Sequence, residues 1–175
     1  MNFDNKVIIL VDDEYQELEF WYPYLRLQEN NILPIIVGHE KKVYKSRIGY
    51  EVMSDYSVND IGDNKVAGII IPGGYAPDIM RRHKDIIDFV KKTYDSGGFI
   101  AAICHAIWVV ISAKIISGTN STCYYGIKDD LINAGGNYLD QEVVVDKRII
   151  TSRTPDDLPI FCKTILTYIN KNCEK

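Results

Sequence analysis

Four apolar runs constrain this chain more than any other feature: residues 6–11 (Lys-Val-Ile-Ile-Leu-Val), 32–37, 66–71 and 99–103. Each has strand length and lacks the in–out alternation of a half-exposed strand. That is the pattern of strands covered on both faces of a parallel sheet. Between them lie segments with helical spacing. Residues 15–28 place Leu18, Trp21, Tyr22, Leu25 and Leu27 on a broad apolar face, and 83–94 do the same with Ile86, Ile87, Phe89, Val90 and Tyr94. Strands alternating with helices predict a doubly wound α/β sandwich.

The remaining pattern fits that frame. Pro23 predicts a late start or a kink in the first helix, and residues 40–58, around Gly49, read as short antiparallel strands on an edge. Residues 119–124 are strand-like, 129–134 helical, 143–145 and 148–151 a hairpin, and a last helix runs from near Pro155 to about Asn170. With 175 residues, 46% of them hydrophobic, one compact domain over 1–175 is expected.

Charge and composition exclude some functions. The net charge is -4 and no basic cluster occurs, so no nucleic-acid partner is expected. No apolar run approaches the roughly 20 residues that span a bilayer. The first run is too short for a signal peptide and is followed by Asp12-Asp13-Glu14, so a soluble cytoplasmic protein is expected. Cys104, Cys123, Cys162 and Cys173 form no C-x-x-C pair and are expected to be free thiols. His39, His83 and His105 have no ligand-like spacing, so no metal and no cofactor are expected, and His39 and His83 read as surface residues.

Chemistry concentrates at the end of the fourth run. Phe99-Ile-Ala-Ala-Ile103 meets Cys104-His105 and then, without a loop, a second apolar run at helical spacing to about Ala113. A strand that feeds a helix directly must turn sharply, and the corner residue projects clear of both elements. A thiol there, at a helix N-terminus, is expected to have a lowered pKa. In an open α/β sheet, ligands bind at the carboxyl ends of the strands. That edge collects residues 12–19, Pro72-Gly73-Gly74 and Cys104-His105. Cysteine attack on a carbonyl builds an oxyanion, for which the Gly74 and His105 amides are the candidate donors. His105 would supply an acid/base group near neutral pH. Trp21 and Trp108 read as core or interface residues, Cys123 as structural, and Cys162 and Cys173 as bystanders on the last helix.

The same stretches carry a resemblance. Ala-Ile-Cys-His at 102–105, Pro-Gly-Gly-Tyr-Ala-Pro at 72–77 and Gly-Ile-Lys-Asp-Asp at 126–130 resemble the PfpI intracellular protease family of the ThiJ/PfpI superfamily. So do Glu-Leu-Glu-Phe-Trp-Tyr-Pro at 17–23, Ala-Gly-Gly-Asn at 134–137 and Ser-Arg-Thr-Pro-Asp-Asp-Leu at 152–158. The resemblance implies a flavodoxin-like three-layer sandwich, related to class I glutamine amidotransferases, with a mostly parallel sheet and a nucleophile elbow at Cys104. It implies a homodimer or a hexamer built of dimers. It assigns Cys104 as nucleophile and His105 as its partner, with Asp78 as the carboxylate supplied from a neighbouring subunit. Glu19 is the acid beside the sulfur, and Gln16, Arg47 and Tyr124 lie near the pocket. Departures are Asp78 where Glu is common, Gln16 where a second Glu is common, and Ala106-Ile107 after the nucleophile in place of Gly-Pro.

Two other folds fail on particular residues. A response-regulator receiver needs a phospho-accepting Asp where Pro72-Gly73-Gly74 stands, and a Cys-His-Glu amidotransferase needs a late histidine that residues 151–157 lack. The expected function is a cysteine hydrolase acting on a peptide or on small glycated or dicarbonyl molecules, by peptidase, deglycase or glyoxalase-III-like chemistry. The alternative is a stress-response chaperone or redox sensor in which Cys104 is oxidised to a sulfinic acid.

Overall fold

The computed structural model describes the backbone of residues 3–173 and the side chains up to Lys171. The apolar runs form the strands expected of them. β1 (Val7–Leu10) is followed by α1 (Glu17–Glu29) and β2 (Ile35–Gly38). A two-stranded antiparallel sheet follows, β3 (Val43–Lys45) with β4 (Glu51–Met53), then β5 (Tyr56–Ser57) and the single turn of α2 (Val58–Ile61). Next come β6 (Gly68–Ile71), α3 (Ala76–Met80), α4 (Lys84–Asp95), β7 (Phe99–Ile103) and α5 (Ile107–Ser112). The chain ends with β8 (Asn120–Ser121), α6 (Lys128–Asn133), β9 (Asn137–Tyr138), the hairpin β10 (Val143–Asp146) and β11 (Ile149–Ser152), and α7 (Leu158–Cys173).

Seven strands make the central sheet, in the order β10-β11-β7-β6-β1-β2-β5, and only the β10–β11 pair is antiparallel. All residues of β1, β6, β7 and β11 are buried. Double burial is why these runs lack period 2. After β1 the chain moves toward the β5 edge, and after β6 it moves the other way, through β7 to β11. Right-handed crossovers in opposite directions put their helices on opposite faces. Accordingly α1 packs against α7, whereas α2, α3, α4, α5 and α6 pack among themselves. The order reverses between β1 and β6, so a crevice opens at their carboxyl ends.

Three local expectations are corrected. Pro23 does not delay α1, which runs from Glu17 to Glu29 with the proline inside it. Proline removes only the bond that its N–H would have given to the Glu19 carbonyl. The second strand begins at Ile35, with exposed Leu33 and buried Pro34 left outside it. The strand expected over 119–124 is only two residues long and pairs with β9 outside the main sheet. Beyond it the chain is drawn to the corner, where the Tyr124 N–H donates to the Cys104 carbonyl at 3.3 Å. No helix among the described residues is long and apolar enough to cross a membrane.

His39 and His83, expected as separate surface residues, are half-buried and stacked on each other, with centroids 3.7 Å apart. Their proximity depends on the β2 end meeting the start of α4, which no sequence spacing reveals. Cys104, Cys123 and Cys162 are buried free thiols. The Cys173 side chain lies outside the described residues.

Candidate active site

The corner at Cys104 takes the backbone through φ +61°, a left-handed conformation that a residue with a Cβ rarely adopts. Residues Cys104–Ala106 form a single 3-10 turn before the six residues of α5. Cys104 is 9% exposed, and its sulfur lies 3.1 Å from Nδ1 of His105. Thus His105 folds back onto the sulfur of its own chain neighbour. Its ring stacks on Tyr124 with centroids 4.8 Å apart and meets Trp108 edge-on at 5.1 Å. Aromatic packing on two sides fixes the imidazole.

Glu19 approaches from α1. Gln16 caps that helix, its side-chain oxygen accepting the Glu19 N–H at 2.8 Å. The Glu19 carboxyl is fully buried, and its Oε2 accepts the Gly73 N–H at 2.7 Å. Oε1 is buried with no nitrogen or oxygen partner among the described residues, and the Cys104 thiol is the other polar group acting on the carboxyl. Burial raises the Glu19 pKa to about 7, against the opposing pull of the Gly73 N–H and the thiol.

The thiol departs from expectation. Its pKa is raised well above the ordinary thiol range, first by burial and then by the Glu19 charge, while the His105 and Gly74 N–H groups pull it down. A single 3-10 turn leading into a six-residue helix is a weak dipole, and it loses to desolvation. Burial also lowers the His105 pKa, helped by the positive charge of Arg47. The imidazole is therefore neutral at pH 7 and able to accept a proton.

Gly73 is what lets these groups meet. A Cβ at that position would lie 2.5 Å from Glu19 Oε2 and 2.8 Å from the Cys104 Cβ. Gly74, at φ +83°, then turns the backbone toward the sulfur, closely packed on Glu14 and Gln16. We expect Gly73→Ala to push the carboxyl off the sulfur and destabilise the fold by about 1–3 kcal/mol. Urea unfolding and a pH titration of thiol reactivity check this, and an unmoved thiol pKa would contradict it.

A cavity of about 610 Å³ opens over the corner, lined by Glu14, Gln16, Glu19, Arg47, Gly74, Tyr75, Cys104, His105, Trp108, Tyr124, Thr154 and Pro155. Every residue expected near the site lines it except Asp78. That carboxylate is instead paired with Arg82, which holds its pKa low, and within one chain it does not line the cavity with His105. Glu14, Tyr75, Trp108, Thr154 and Pro155 were not anticipated as lining residues. Trp108, one turn after Cys104, reads from the sequence as a core or interface residue because apolar periodicity does not distinguish a cavity wall from an interior. Its indole N–H donates to Asp130 at 2.7 Å.

A cysteine at a strained strand-to-helix corner, with an adjacent histidine and a buried acid at a sheet switch point, defines a nucleophile-elbow α/β protein. A sequence model of the DJ-1/PfpI family matches residues 5–168, and the chain belongs to that family. It is 36% identical over 153 residues to Deglycase PfpI of Pyrococcus furiosus, covering 87% of this chain and 92% of that one. It is 35% identical over 167 residues to Protein/nucleic acid deglycase 2 of Escherichia coli, covering 94% and 97%. Among solved structures, a two-domain protein from Anabaena variabilis with DJ-1/ThiJ/PfpI-like and ferritin-like domains superposes with a TM-score of 0.91 at 33% identity. That match covers 95% of this chain and 48% of the other.

Proposed function

We propose that this chain is a cysteine-dependent hydrolase of dicarbonyl compounds and their amine or thiol adducts, a deglycase of glyoxalase type, with Cys104 as nucleophile. One observation carries the reading: the Cys104 sulfur sits 3.1 Å from a neutral His105 and beside a carboxyl that titrates near 7, inside a cavity of small-molecule size. The deglycase names of the Pyrococcus furiosus and Escherichia coli relatives support the same reaction class.

Glu19 and Cys104 titrate as a coupled pair. Transfer of the thiol proton to His105 or to Glu19 creates a thiolate facing the His105 and Gly74 N–H groups. The thiolate adds to the aldehyde carbon of a dicarbonyl, and the new oxyanion is held by those N–H groups. With an amine adduct, the thiolate displaces the amine at the same carbon, and the amine leaves with the thiol proton. Glu19 then takes the proton from that carbon and returns it to the neighbouring one, which leaves a thioester. Water, activated by His105, releases the hydroxy acid and restores the thiol. Methylglyoxal and one water give lactate, with no external oxidant.

Lactate formation from methylglyoxal, and release of free amine from methylglyoxal-treated lysine, test this reading against the Cys104→Ala variant. Cleavage of peptides with neither dicarbonyl reaction would replace it with a peptidase. A redox sensor would use the same thiol, oxidised to a sulfinic acid; selective addition of two oxygens at Cys104 on peroxide treatment, with neither dicarbonyl reaction, would replace the hydrolase reading.

Arg47 suits the carboxylate or carbonyl oxygens of such substrates. Arg47→Ala should raise KM by about tenfold, the worth of one charge-assisted hydrogen bond, with a smaller fall in kcat. Removing its charge also restores part of the His105 basicity. The acid limb of the kcat/KM profile should therefore move to higher pH, and an unmoved limb would remove His105 from the base role.

A further inference from the structure

The stacked histidines lie outside the Cys104 cavity, at the far side of the same sheet edge. His39 is the first residue after β2, and Cys104 the first after β7; between those strands the sheet order places β6 and β1. Three strand spacings separate the two points, on the order of 14 Å. His83 is the residue from which α4 departs, and Asp85 lies in the first turn of that helix.

These three side chains converge. His39 Nδ1 lies 3.1 Å from Asp85 Oδ2 and 3.2 Å from Oδ1, and the His83 ring stacks on His39 at an interplanar angle of 18°. One donor atom from each of the three can be chosen so that all lie within 4.8 Å of one another. The carboxylate is oriented from outside the trio: Asn59 Nδ2 donates to Oδ2 at 3.2 Å, and the Ile86 N–H donates to Oδ1 at 3.0 Å. Such outer hydrogen bonds are the usual support of a ligating carboxylate.

A further buried acid stands beside them. Leu10 is in register with Val37, so Asp12, two residues on, stands level with His39. Asp12 is buried, its Oδ2 has no partner among the described residues, and the His83 charge acts on it. Its other oxygen, Oδ1, accepts the Asp13 N–H at 2.8 Å, so one buried carboxylate oxygen at this edge is left to face a positive group.

We propose that His39, His83 and Asp85 bind one divalent transition-metal ion of the zinc class. Two imidazoles and a carboxylate select such ions over magnesium or calcium, which take oxygen ligands. Tetrahedral zinc with bonds near 2 Å requires donors about 3.3 Å apart. The three donor atoms, already within 4.8 Å of one another, need to close by about 1.5 Å to reach that spacing. The remaining position is open to water. The ion would add a further tie between the end of β2 and the start of α4, beside the His39–Asp85 pair and the histidine stack. Binding only to the folded chain, it stabilises that fold by mass action.

The test uses the full chain carrying Cys104→Ala, stripped with chelator, so that the nucleophile cannot contribute a sulfur ligand. Zinc is titrated in competition with a chromophoric chelator, and cobalt(II) spectra are recorded. The expected result is one equivalent of zinc, a rise in Tm on zinc addition, and cobalt d–d bands with no sulfur charge-transfer band. Affinity should fall at least tenfold in His39→Ala and in Asp85→Asn, with the Tm response to zinc lost. No saturable binding, equal binding in both variants, or a sulfur band in the cobalt spectrum overturns the site. Should a substitution prevent folding, the cobalt spectrum of the otherwise unsubstituted chain decides by the same criterion.

Discussion

Cys104→Ala is expected to lower kcat/KM for methylglyoxal and for glycated lysine by about 10⁴-fold or more, because it removes the group that forms the covalent intermediate in the proposed mechanism. The remaining His105, Glu19 and N–H groups have nothing to activate. The fold should persist, since the side chain contributes little buried volume. The alanine retains the left-handed corner at φ +61°. Cys104→Gly relieves that strain and should exceed Cys104→Ala in stability by about 1 kcal/mol while being equally inactive. A strained residue at the reacting atom, held by its surroundings, is the pattern of a functional corner. Activity in Cys104→Ala within tenfold of the parent would sink the nucleophile assignment, and a Cys104→Gly protein no more stable than Cys104→Ala would show that the corner carries no strain.

Glu19→Gln should separate activity from stability. Glutamine keeps the acceptor for the Gly73 N–H but cannot move a proton, so kcat should fall by about 10²–10⁴-fold, the worth of a general acid or base. Stability should change the other way. The folded-state pKa of Glu19 is raised to about 7 from an ordinary 4.5 by burial. Below pH 4.5 the carboxyl is protonated whether folded or unfolded and costs nothing. As pH rises through 4.5 to 7, the unfolded chain ionises first, and stability declines until the folded carboxyl ionises too. At pH 8 the parent therefore carries a penalty of about 3 kcal/mol that the amide lacks. Glu19→Gln should melt several degrees higher at pH 8, with the gain vanishing near pH 4. Parallel melting curves at pH 4, 6 and 8 check this; a constant Tm difference would mean that Glu19 is not a buried acid with a displaced pKa. Stability given up to keep an ionisable group buried beside a nucleophile is a common trade at active sites.

Much of the fold is legible in the residues because the strands are buried on both faces. A run such as 66–71 has no polar residue to mislead the reading, and its strand, Gly68–Ile71, is found inside it. Cys104 is legible for a similar local reason: a strand that meets a helix without a loop can only turn. Gly73-Gly74 and Glu19 are legible through the switch-point rule and the resemblance together. Pro23 does not postpone the start of α1, because a proline in mid-helix removes one bond that tertiary packing against α7 outweighs.

The residues by themselves determined the alternation of elements, the parallel sheet, the corner at Cys104 and the edge on which chemistry gathers, since each follows from local sterics or from the period of burial. Only the tertiary structure decided the electrostatics of that corner. The thiol was expected to be acidic from its helix N-terminus, but burial and the Glu19 carboxyl reverse the sign, because desolvation depends on what the rest of the chain packs around the sulfur. Tertiary structure also decided that His105 turns onto its own Cys104, that Asp78 is engaged by Arg82, and that His39 meets His83 across two crossovers. Contacts between residues far apart in sequence are set by crossover direction and strand order, and no spacing along the chain encodes them.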